Sequence, residues 1–78
     1  SLSFLFERFP ARELEVRRLC TRDEDFHCAC EDYEAAAQAL RHWEFVEKNA
    51  ERTVEYRRLA DEIADEIVAR LDAATVSI

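Results

Sequence analysis

The chain has no glycine and a single proline in 78 residues. Glycine enters positive φ at no steric cost. Its absence predicts few sharp reversals and excludes a glycine-rich phosphate loop. The one proline, Pro10, stands near the start and interrupts nothing after it. No apolar run approaches the roughly 18 residues of a membrane span, and Ser1 to Phe9 is too short and wrongly charged for a signal peptide.

Basic residues are also scarce, with 11 Lys and Arg against 18 Asp and Glu. Phosphate and anionic lipid surfaces are bound by clusters of Lys and Arg, so neither nucleic acid nor membrane is an expected partner. The acid is concentrated in the middle: residues 22–48 hold eight acids and three bases, against three and four in residues 1–21 and seven and four in 49–78. Acids and bases alternate there, as on solvated helix faces. The three cysteines, Cys20, Cys28 and Cys30, are an odd number in a chain without loops to staple. That argues against a secreted disulfide scaffold and predicts reduced thiols in the cytoplasm.

What is present is helical periodicity. Pro10 suits a first helical turn, where its missing N–H costs nothing. Leu14, Val16 and Leu19 follow, with Glu13 four residues before Arg17, which predicts a short helix over about 10–20. Thr21-Arg22-Asp23-Glu24 has the form of a capping box, and Asp23, Glu24 and Asp25 suit a first turn. A long helix is expected over about 22–47, with the stripe Phe26, Cys30, Tyr33, Ala37, Leu40, Trp43/Glu44 and Val46 and flanking Ala29, Ala36 and Ala39. Near its end Glu44 stands four before Lys48. Asn49 serves as a helix C-terminus or as the next N-cap, which places a reversal around 46–52; the rival is an unbroken rod of about 80 Å at ~1.5 Å per residue. A last helix over about 51–74 carries Tyr56, Leu59, Ile63, Ile67, Leu71 and Ala74, widened by Ala60, Ala64 and Val68, with Glu66 four before Arg70. Thr75 to Ile78 is expected to fray. Residues 1–9 read as an irregular lead-in whose Phe4, Phe6 and Phe9 rings pack on the helices. The whole is one domain.

The expected fold is therefore all-α: an antiparallel, coiled-coil-like helical hairpin with a short N-terminal helix. Two helices cannot cover each other's apolar faces in so small a chain. The remainder must be covered by the N-terminal segment, by a second copy or by a partner; self-association into a dimer or larger bundle, or binding of a helical partner, is expected through Phe26, Tyr33, Leu40, Leu59, Ile63 and Ile67.

His27-Cys28-Ala29-Cys30 is the one chemically suggestive stretch. With Cys20 it offers thiol and imidazole ligands, the basis of an alternative reading as a metal- or redox-responsive protein. However, Cys-x-Cys on a helix sets its side chains about 200° apart, and zinc sites use wider or three- and four-residue steps. Cys30 fits the seam as a small core residue and Cys28 the surface. Glu24 stands three before His27, one half of a di-iron helix motif, but Ala39 occupies that place before His42. The acidic neighbours Asp25, Glu31 and Asp32 disfavour a thiolate. No enzyme activity, metal or cofactor is expected.

Certain spacings form a familiar pattern: Phe9-Pro10, then Val16 and Leu19, Asp23-x-x-Phe26, Tyr33 and Leu40 at steps of seven, Glu44, and finally Asp65-Glu66-Ile67 with Leu71. In these the chain resembles the YdcH-like family of small bacterial proteins over residues 9–71. It departs from that family at Glu47-Lys48-Asn49-Ala50, where members often carry proline or glycine, and in an acidic rather than lysine-rich last helix. The resemblance implies a cytoplasmic, self-associating helical hairpin and brings no established activity or catalytic residues.

Overall fold

The computed structural model describes residues 1–76. Over these it is all-helical, with four α-helices: α1 Ser3–Arg8, α2 Glu13–Arg22, α3 Glu24–Arg41 and α4 Ala50–Val76. A 3-10 turn, Pro10–Arg12, links α1 to α2, with Pro10 at its first position. A π-helical turn, His42–Val46, extends α3. The molecule measures 45 × 21 × 19 Å, which rules out the unbroken rod. Among the described residues, no helix is long and apolar enough to cross a membrane. Ser77 and Ile78, part of the segment expected to fray, lie outside the described residues.

Residues 1–9 are not an irregular lead-in, since they contain α1. A six-residue helix is far too short to persist alone, and Leu2 at its N-cap makes no side-chain cap. The cap arrives from α3 instead. The Glu34 carboxylate accepts hydrogen bonds from the Phe4 N–H at 3.1 Å and the Leu5 N–H at 2.8 Å. These are two of the amides that a helix start leaves without partners, and an anion there is favoured by the helix dipole. Seated this way, α1 buries Leu5 completely.

The break between α2 and α3 is a single residue. Asp23 is extended, and its side chain accepts from the Phe26 N–H at 3.0 Å. The cap is therefore Asp23, two residues later than the expected Thr21. Thr21 belongs to the last turn of α2, where its hydroxyl donates to the Arg18 carbonyl at 2.7 Å. The Asp23 backbone N–H meanwhile closes α2 by bonding to the Leu19 carbonyl.

The most extensive contact joins α3 to α4. α3 buries Phe26, Cys30, Tyr33, Ala36 and Ala37; α4 buries Ala60, Ala64, Ile67 and Leu71; α2 adds Val16 and Leu19. The buried face of α4 is thus rotated from the expected one: Leu59 is 42% exposed and Ile63 only half-buried. Alanines at the contact let two helix axes approach closely, and that favours the Ala60/Ala64 edge over the bulkier Leu59 edge.

Ion pairs tie the N-terminal layer to α4, Arg8 to Asp61 at 3.0 Å and Arg12 to Asp72 at 2.8 Å. The Arg8 guanidinium also lies 3.4 Å from the Tyr33 hydroxyl, and that contact, foremost, raises its pKa. Arg12 holds the Glu15 carboxyl below its usual range. Such exposed pairs contribute about 0–1 kcal/mol each, whereas burying a Phe or Leu contributes about 1.5–3 kcal/mol. The apolar set therefore decides stability, and the ion pairs set register. The expected pairs Glu13–Arg17 and Glu66–Arg70 form at 2.9 and 3.2 Å. Glu44 turns away from Lys48 and pairs with Arg57 at 2.7 Å.

The long-range cap is directly testable. Glu34→Ala removes two charge-assisted hydrogen bonds and should lower unfolding free energy by about 1–2 kcal/mol, read as a lower urea midpoint with an unchanged slope. An unchanged midpoint would show that α1 is not held by Glu34.

Candidate interaction surface

The six residues expected to form an interaction face do not share one fate. Phe26, Tyr33 and Ile67 lie in the chain's own core and offer no surface. Leu40 and Ile63 are half-buried. Leu59 and Ile63 line a groove of about 540 Å³ between α3 and α4, together with Cys28 and Ala29. α1 and α2 lie over one part of the α3/α4 seam, so the N-terminal segment supplies part of the cover that the seam requires.

The N-terminal layer reaches toward the other end of the molecule as far as Arg41, whose guanidinium lies over the Phe4 ring at 5.6 Å. At that end Phe45 is 62% exposed, Val46 69% and Val54 62%; with Leu14 and Leu59 they are the large hydrophobic residues left in solvent among the described residues. Val46 was expected within the buried stripe. The π-turn explains its escape. The Glu47 N–H bonds to the His42 carbonyl, five residues back, and the Asn49 N–H to the Trp43 carbonyl. The first bond has π spacing and takes up one extra residue, and the second spans six residues across Lys48; the phase of the stripe is therefore lost after Leu40, and Phe45 and Val46 turn outward.

The connection from the π-turn to α4 is made without glycine. Lys48 takes φ 54°, a left-handed conformation that costs a residue with a Cβ about 1–2 kcal/mol. Asn49 then caps α4, its Oδ1 accepting from the Arg52 N–H at 2.9 Å.

Cations surround this end. Arg41 lies over the Phe45 ring at 6.0 Å and over Phe4 at 5.6 Å; Arg52 lies over Trp43 at 5.7 Å. His42 meets Trp43 edge-on at 5.1 Å between centroids. A shallow groove of about 750 Å³ runs from Glu44 and Lys48 along Val54, Arg57 and Arg58. The arrangement has an apolar centre with a charged rim. The sequence signal for this surface was the pair Phe45-Val46 near the end of the stripe, of which the stripe reading assigned only Val46 to the seam.

The thiol and imidazole cluster separates in space. Cys30 is buried, Cys20 half-buried and Cys28 exposed. His27 faces Glu31 at 3.9 Å. Among the described residues, no group of three or more His, Cys, Asp or Glu is placed to hold a metal. Burial raises the Cys20 thiol pKa and pushes that of Cys30 to about 12, so both stay protonated. The Cys20 and Cys30 sulfurs are nevertheless only 3.9 Å apart.

Comparison with protein-family models, with curated proteins and with solved structures finds no match for the chain.

The strained turn gives a second prediction. Lys48→Gly relieves the left-handed cost, less the entropy glycine adds to the unfolded chain, and should stabilise by about 0.5–1 kcal/mol. Calorimetry should show a melting temperature several degrees higher; a lower one would mean that Lys48 is not under strain.

Proposed function

We propose that this chain is a non-enzymatic, self-associating interaction module of the bacterial cytoplasm, in which α3 and α4 form an antiparallel hairpin and the uncovered end near residues 42–54 is the contact face. The observation that carries the reading is the exposure of Phe45, Val46 and Val54 together at that end. Burying Phe45 alone in a partner would contribute about 1.5–3 kcal/mol. The arginines around the rings suit the rim of such a contact. The pairing order supports the hairpin, since Glu44 meets Arg57 next to the reversal while Asp25 and Arg70 line one groove far from it. Three free thiols fit a reducing compartment. The YdcH-like spacing supports the same reading as a resemblance, and the positions that carry it, among them Val16, Leu19, Phe26, Tyr33, Ile67 and Leu71, are core positions here.

Sedimentation equilibrium from low micromolar to submillimolar concentration tests the proposal. The wild type should self-associate, and Phe45→Asp with Val46→Asp should weaken association about tenfold or more while leaving helix content unchanged. Leu59→Asp, on the flank groove, should have little effect. A wild type that stays monomeric over the whole range overturns the reading, and loss of association in Leu59→Asp alone would move the contact to the flank.

A further inference from the structure

Cys20 and Cys30 stand on different helices, α2 and α3, with only Asp23 between those helices. Their sulfurs lie 3.9 Å apart, and the third thiol, Cys28, is exposed on α3. A disulfide needs a separation of about 2.05 Å. The remaining gap is small enough for side-chain rotation and a slight shift of one short helix to close it. We propose that Cys20 and Cys30 form a modification site, a dithiol that small disulfides of the glutathione class oxidise to an intramolecular bridge clamping α2 onto α3.

The exchange has two steps. The half-buried Cys20 is the entry point, because Cys30 is closed to solvent. The Cys20 thiolate attacks one sulfur of the small disulfide, forming a mixed disulfide and expelling one small thiolate, which takes up a proton. Cys30 attacks the Cys20 sulfur of that mixed disulfide, its proton passing to the departing small thiolate. The Cys20–Cys30 bond forms and the second small thiol leaves. Two protein thiols are oxidised, one small disulfide is reduced to two thiols, and no other oxidant is required. The raised pKa values of both thiols make the first step slow and keep the reduced form inert toward brief exposure.

The consequence is mechanical. α2 carries Val16 and Leu19 into the core, and α1 precedes it with Leu5. Together they form the layer over Phe26, Ile67 and Leu71. A bridge from Cys20 to Cys30 holds that layer in place and closes only a ten-residue separation. Cys28, on the outer surface, takes no part.

The test uses the full chain with Cys28→Ser, a substitution at an exposed position. The reduced protein is incubated with oxidised glutathione, its free thiols are alkylated, and it is digested with trypsin without reduction. The expected product is the peptide of residues 19–22 linked to that of residues 23–41, with a melting temperature raised by about 10 °C and restored by a reductant. A persistent glutathione adduct on Cys20, or two thiols that both remain free to alkylation, overturns the proposal. So does a wild-type digest in which fragmentation places the bridge on Cys28.

Discussion

The Glu34 carboxylate is the contact on which the rest of this architecture depends. It stands in mid-α3 and accepts from two amides of α1, some thirty residues earlier in the chain. Without that anchor, a six-residue helix with no cap of its own has no reason to form. With it, Leu5 enters the core, Arg8 comes within reach of both Tyr33 and Asp61, and the chain proceeds through Pro10 into α2 over the same seam. A carboxylate that would otherwise be one more solvated acid on an acidic chain thus determines which part of the α3/α4 seam is covered.

That coverage is partial, and the molecule is asymmetric as a result. At the covered end, α1 and α2 complete a core from Leu5, Val16, Leu19, Phe26, Ile67 and Leu71. A chain of this size has only a narrow margin of stability, and the buried hydrophobic residues supply most of it. Toward the other end, past the Phe4–Arg41 contact, the π-turn and the start of α4 leave large side chains in water. Natural monomers rarely leave such residues grouped without use. The same economy appears in the connection to α4, where a lysine occupies a conformation that glycine would take without cost.

The helical class and the positions of the principal seam residues were legible in the sequence, because Phe26, Cys30 and Tyr33 repeat at helical spacing and remain on one face. The burial of Cys30 and exposure of Cys28 followed from the same geometry. What was not legible had specific physical causes. α1 is stabilised by a partner far away in sequence, and no local signal marks that. Thr21 and Asp23 are both good caps, and the choice between them depends on where α2 can end. The buried edge of α4 depends on how closely two helices approach, which small alanines decide and a hydrophobicity pattern does not weigh. The outward turn of Phe45 and Val46 depends on a π-turn, for which hydrophobic spacing provides no sign.

The cysteines illustrate the gap between composition and placement. As a string, Cys20, His27, Cys28 and Cys30 suggest a shared ligand set. In space, His27 and Cys28 are exposed, and Cys20 and Cys30 form a close pair between α2 and α3. The central claim, that an anchored N-terminal layer seals one end and leaves the other open, is tested most directly by residue-resolved amide hydrogen exchange on the reduced wild type. Leu5 and Leu19 should be protected to the same degree as Phe26, Ala64 and Ile67, opening with them as one unit, while His42 to Val54 exchange much faster. Free exchange at Leu5 beside a fully protected α3 and α4, or equal protection at both ends, would contradict it.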